Sequence, residues 1–179
     1  MDPIRTHGYL TVSRGHLFAW VRPLSREQYT TEHPIGLGSL ARTLHHIKGA
    51  EWLYMQRING RTGVIEPIAS EHDPEITAAG ALPFADLERL WLAQSERTGG
   101  DLAAAVARDG WGVPTLYETT HEGKPYAYRA SPCDVFTQLV LHEVHHRAQA
   151  MHMLRRLGIA TGEIDYNALM YMPVEMPEG

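Results

Sequence analysis

Apolar residues recur along most of this chain three or four positions apart, the spacing that gives a helix one buried face. Leu10, Leu17, Val21 and Leu24 predict a first helix over about residues 3–22, with Pro3 in its first turn. Pro23 and the polar Ser25-Arg26-Glu27 stretch end it, and a loop through Thr30, Pro34, Gly36 and Gly38 follows. Ser39 is an N-cap for a second helix over about 40–58, whose apolar stripe includes Leu40, Leu44, Ile47 and Leu53, and Asn59-Gly60 stops it. Residues 60–82, with Pro67, Pro74 and Gly80, read as a loop. Pro83 opens a third helix with Leu87, Leu90 and Trp91 on its buried face; Gly99-Gly100 predicts a break, and Leu102 to Val106 resume it.

The period then changes. Thr115, Tyr117, Thr119 and His121 alternate, Glu122-Gly123-Lys124-Pro125 is a turn, and Tyr126 and Tyr128 follow, so residues 111–129 predict a short β-hairpin. Ser131-Pro132 caps a last long helix that runs to Leu157, where Gly158 closes it. The tail carries Tyr166, Leu169, Met170 and Tyr171, enough apolar surface to pack back on the helices, and its prolines and methionines predict an irregular finish. Four long helices give an all-α fold: a four-helix bundle with a short β-hairpin inserted before the last helix, in a single domain over residues 1–179.

Composition narrows the functional classes. A net charge of −5 without a basic stripe argues against nucleic acid as a partner. No apolar run is long enough to span a membrane. Met1-Asp2-Pro3-Ile4-Arg5 lacks an apolar signal core, and a single cysteine, Cys133, excludes an internal disulfide framework, so a cytoplasmic location is expected. Cys133 lies near a helix N-terminus, but an incidental role is favoured over a reactive thiol.

The chain holds 11 histidines, four of them between positions 142 and 152. On a helix, His142 and His146 lie ~40° apart, one turn above the other, on the stripe that carries Val135, Leu139, Met153 and Leu157. Two unpartnered imidazoles on a buried face are costly, and a metal ion between them removes the cost, because i, i+4 spacing brings two ring nitrogens to one ion. A third ligand is needed from a facing helix. His46 shares a stripe with Thr43, Ala50 and Leu53 and is the best placed; His45, ~100° away, is expected to be exposed. Three neutral histidines leave coordination positions open for water or substrate, the pattern of a catalytic site.

Two other patterns overlap this segment. His142-Glu143-Val144-His145-His146 matches the zinc-protease pattern H-E-x-x-H, with His152 where a longer version places a third histidine. Gln149 replaces the glycine at which that version turns away, so His152 stays on the helix ~120° from His146, and Glu143 falls off the core stripe. Glu143 and His146 also form one Glu-x-x-His unit of di-iron bundles, but a second unit is missing.

Gly38-Ser39-Leu40-Ala41-Arg42-Thr43-Leu44-His45-His46-Ile47-Lys48-Gly49-Ala50-Glu51-Trp52-Leu53 and His142-Glu143-Val144-His145-His146-Arg147-Ala148-Gln149 resemble the two motif-bearing helices of the DinB family of four-helix-bundle metal proteins. The order of elements, hairpin included, agrees. The resemblance implies one divalent metal ion on His46, His142 and His146, weighs against a protease, and points to metal-dependent thiol S-transfer or thiol-dependent isomerisation, although many members have no assigned activity. Leu141 stands where the family often has Asn, which removes a polar contact near the site but no ligand.

The expected chemistry is activation of a thiol or water by that ion for small-molecule S-transfer or hydrolysis. Zinc or nickel suits the imidazoles, and a low-molecular-weight thiol is the expected co-substrate. A metal-binding stress protein without turnover is the alternative. No catalytic residue is identified beyond the ligands; Glu51 and Gln149 are candidates to orient them. Arg147 points away from the ligand stripe toward a salt bridge, and Tyr9, Tyr54 and Trp91 are cleft or core residues. Val140, Val144 and Met151, opposite the ligands, are covered by the hairpin or tail, or form a homodimer interface.

Overall fold

The computed structural model describes residues 2–65 and 80–172. Helix α1 (Pro3–Val21) starts where the Asp2 side chain accepts hydrogen bonds from the Ile4 and Arg5 amides. A short helix α2 (Arg26–Thr30) follows, in the stretch read from sequence as loop. Its signal was present: Ser25 and Gln28 form a reciprocal capping box. Five residues burying only Tyr29 are too few to show a period. Helix α3 (Leu40–Ile58) is capped by Ser39, whose hydroxyl accepts from the Arg42 amide.

Helix α4 (Phe84–Ala107) runs unbroken through Gly99 and Gly100, against the predicted break. Two glycines cost a helix roughly 1 kcal/mol each, but burial of Thr98, Leu102 and Ala105 holds this one in place. Gly99 faces α1, where a Cβ would make an ordinary contact with the His7 ring at 3.6 Å. Strands β1 (Thr115–His121) and β2 (Lys124–Ala130) pair antiparallel, with Tyr117 opposite Tyr128. Glu122 and Gly123 between them both have positive φ, as two-residue hairpin turns require. Helix α5 (Pro132–Arg156) begins with a second capping box, Ser131 and Asp134, and a short α6 (Tyr166–Met170) closes the described chain. Most of the expected loop at 60–82, with Pro67 and Pro74, and most of the expected irregular finish lie outside the described residues.

Helix α1 packs against α4 and α5, and α3 packs against the same two, so the four long helices form a bundle in the cyclic order α1-α4-α3-α5. The fold is all-α with the hairpin set before the last long helix. No helix among the described residues is long and apolar enough to cross a membrane.

The core has two apolar clusters. One gathers Leu17, Phe18, Leu44, Trp91 and Leu154; the other gathers Leu10, Ile58, Leu102, Phe136 and Leu139, with Tyr166, Leu169 and Met170 of the tail packed on it. The tail thus covers this end as expected, and Val140 is buried in the same cluster, while Leu141 and Val144 on α5 remain exposed.

Between the clusters all four long helices supply buried polar groups. Arg14 of α1 reaches Glu51 of α3 at 2.8 Å and Glu143 of α5 at 2.6 Å, donates to Ser95 of α4 at 3.0 Å, and lies over the Trp91 ring. Burial works against its charge; the two carboxylates more than offset this and raise its pKa. Arg147 donates to the Ser13 and Tyr9 hydroxyls and lies 3.6 Å from Glu143. Glu143, placed off the core stripe by its helical angle, is therefore buried, because α1 brings Arg14 to meet it. Arg147 serves the salt-bridging role read from its position.

Candidate metal centre

His46 projects from α3, and His142 and His146 project from successive turns of α5, across the most extensive helix–helix contact of the bundle. The apolar stripes that pack these helices also bring the imidazoles together. The His46 ring centroid lies 4.7 Å from that of His142 and 4.5 Å from that of His146, and the latter two are 4.5 Å apart. One nitrogen from each ring lies within 4.8 Å of the other two, and the Nε2 atoms of His46 and His142 are 2.8 Å apart. Metal–nitrogen bonds of about 2.0–2.1 Å separate ligand atoms by roughly 3–3.5 Å, so three half-buried imidazoles at this spacing suit a divalent ion.

The electrostatics favour the uncharged, ligating form. Burial, then the neighbouring His46 and His146 rings, depresses the pKa of His142 from 6.5 to about 3. Burial likewise lowers His146, against the opposing effect of its hydrogen bond to Gln149. Protons crowded among three imidazoles repel one another, whereas one divalent cation satisfies all three lone pairs.

Gln149 is where the sequence placed it, beside the site. Its Oε1 lies 2.9 Å from His146 Nδ1 and its Nε2 lies 2.9 Å from His145 Nε2. The oxygen can only accept, so His146 carries its proton on Nδ1 and offers Nε2 to an ion. His145 is the partner the sequence reading missed; it lies one turn before Gln149, a spacing that could have revealed it.

Glu51 does not take the ligand-orienting role expected of it. Its carboxylate accepts from Trp91 Nε1 at 2.7 Å and Thr98 Oγ1 at 2.8 Å and pairs with Arg14, so it belongs to the buried polar layer. His45 is buried rather than exposed: the chain entering α4 covers it, and the Leu82 amide donates to its Nε2 at 3.0 Å. Both histidines of the H-E-x-x-H pattern, His142 and His146, are in the cluster, but its glutamate, Glu143, faces the bundle interior with Arg14 and His152 is not in the cluster, so the base and the third histidine of the protease pattern are not at the site. Cys133 sits half-buried in the first turn of α5, outside the cluster.

Of the three aromatic residues considered for the cleft, Trp91 is core, and Tyr9 is tied into the polar layer, its hydroxyl bonded to Ile164 and Arg147. Tyr54 meets the His142 ring edge-on at 5.7 Å and also lines a cleft of about 430 Å³ between α3, the hairpin and the first turns of α5. The alternation at 115–128 predicted the hairpin, but nothing local indicated that Tyr117 and Tyr128 would wall a cleft beside the histidines.

A helical bundle with a three-histidine cluster between two facing helices defines a class of bundle proteins able to hold one metal ion near a cleft. The model of the DinB family matches residues 6–178, nearly the whole chain, and the protein belongs to that family. No curated protein matches it significantly.

Proposed function

We propose that this protein is a metal-dependent enzyme that binds one divalent transition ion, zinc or nickel, on His46, His142 and His146 and transfers a small thiol to, or hydrolyses, a small molecule. The convergence of three uncharged imidazoles next to a cleft carries this reading. When bound, the ion supplies Lewis acidity that brings a thiol or water to its nucleophilic form near neutral pH. The residues prepare the rest. Gln149 holds the His146 proton on Nδ1 and fixes the ring plane. Burial raises the pKa of Tyr54, so its phenol stays protonated at the cleft edge and offers a neutral O–H to a substrate oxygen. No Ser–His or Cys–His pair is required, because the nucleophile comes from solution.

The test is bound-metal content of wild type and His46→Ala, followed by turnover. The expected result is about one ion per chain, lost in the variant. Metal-dependent conjugation of small thiols with 1-chloro-2,4-dinitrobenzene, or hydrolysis of p-nitrophenyl acetate, should accompany it. Full metal retention in His46→Ala removes that ligand. Bound metal with no rate above the metal-free background identifies a metal-binding protein without turnover.

A further inference from the structure

We propose that the cleft beside the histidines is the binding site for an uncharged aromatic molecule of about two rings, the non-reacting part of the substrate or the substrate itself. Its walls are Leu53 and Tyr54 of α3, Ile65 from the chain after that helix, Tyr117 and Tyr128 of the hairpin, and Val135 of α5. Three phenol rings and three aliphatic side chains bind flat apolar ligands through burial and edge or face contacts. A dry cavity of about 150 Å³ holds one benzene ring; this cleft, at about 430 Å³, has room for a two-ring skeleton.

The charged groups at its rim are already engaged. Arg57 donates to the backbone carbonyls of Arg61, Gly63 and Glu118, and its guanidinium lies over the Tyr117 ring. Asp134 accepts from the Ser131 amide at 2.8 Å and hydroxyl at 2.6 Å as the cap of α5. Both groups line the cleft and are opposite in sign, so an anion meets Asp134 and a cation meets Arg57, and neither head is free to turn to a charged ligand without giving up its protein hydrogen bonds. The polar groups that remain are neutral. The Tyr54 hydroxyl accepts from Gln138 Nε2 at 3.4 Å, and Thr119 adds a hydroxyl. Tyr54 also meets the His142 ring edge-on, so a ligand seated here is one side chain away from the histidine cluster. The assignment of this ligand as substrate rests on the metal-centre reading above; its binding does not.

Two probes with one skeleton test this. The N,N-dimethyl amide of 5-dimethylaminonaphthalene-1-sulfonic acid is neutral, has two rings and brightens in apolar sites; the free sulfonate is its anionic counterpart. The neutral probe should bind one per chain, at least tenfold tighter than the sulfonate. Ala130→Trp, which fills the cleft, should abolish binding, and Tyr128→Ala should weaken it at least fivefold. All proteins are checked for metal content and melting temperature. His46→Ala should retain the probe, so failure of the metal centre and failure of the cleft appear separately. Equal affinity for the two probes, or unchanged binding in folded Ala130→Trp, overturns the proposal. Absence of saturable binding to metal-loaded wild type also overturns it.

Discussion

Replacing Arg14 by Met should destabilise the protein more than any other single loss of charge. Arg14, Glu51 and Glu143 have side chains only 2–3% exposed, and Arg14 Nη2 lies 2.8 Å and 2.6 Å from the two carboxylates. Met fills much of the volume and keeps contact with Trp91 but leaves two buried carboxylates without their shared cation. Breaking a buried pair in this way costs about 3–5 kcal/mol, against a total stability of about 5–15 kcal/mol. For a chain of this length each kcal/mol lowers Tm by roughly 2–4 °C, so a fall of roughly 6–20 °C is expected. Metal-free protein should be used, because a ligand that binds only the folded state would mask the loss. The double variant Arg14→Met, Glu143→Gln should recover part of it, giving a coupling of about 1–3 kcal/mol. Arg22→Met is the control. Its bond to Glu88 is equally short, 2.6 Å, but Arg22 is 57% exposed, and Tm should not change measurably. Equal effects at Arg14 and Arg22 would refute the argument that burial sets the value of these pairs.

Three further outcomes follow from the centre. Gln149→Leu removes the acceptor from His146 Nδ1 and should weaken metal binding about 10–100-fold in a chelator competition, with Tm of the metal-free protein unchanged; equal affinity would show that Gln149 does not position the ring. Gly36→Ala should weaken metal binding in the same assay and lower Tm, since Gly36 has φ +53° and an added Cβ would run into the Gln149 carboxamide; no change in either would show that this loop yields freely. Metal-free protein should lose stability as pH falls from about 6.5 toward 3, because His142 titrates near 6.5 when unfolded and about 3 when folded, so the unfolded chain takes up the proton first. Chemical denaturation at stepped pH should show a smaller slope for His142→Gln, and identical slopes would remove His142 as the source.

The candidate ligands were legible because their signal is local. His142 and His146 are one turn apart on an apolar stripe, and His46 sits on a stripe of its own, so helix geometry alone brings the first two together. Gln149 was legible for the same reason. What escaped depends on contacts distant in sequence. The burial of Glu143 depends on Arg14, 129 residues away. His45 is covered by a segment 37 residues further on. Intrinsic preference misled at Gly99-Gly100, where two poor helix formers are held helical by the burial of Thr98, Leu102 and Ala105 around them. The hairpin was visible as alternation, but the surface it faces was not, since a strand pattern does not state what lies opposite.

The hairpin has a dynamic consequence. Two strands alone are marginally stable in water, and β1 and β2 form a sheet of their own. Among the described residues their anchorage includes the buried Tyr117, one backbone bond from Glu118 to Thr62, the clasp of Arg57 on the Glu118 carbonyl and the packing of β2 on α5. Local opening of this unit therefore requires far less free energy than unfolding the helices that carry the histidines. Hydrogen exchange should be fast at the hairpin amides and slow around Ala50 and Ala150. One wall of the cleft can move aside and return while the three imidazoles keep their places, so ligand entry is expected to follow the opening of a segment that carries none of the clustered histidines.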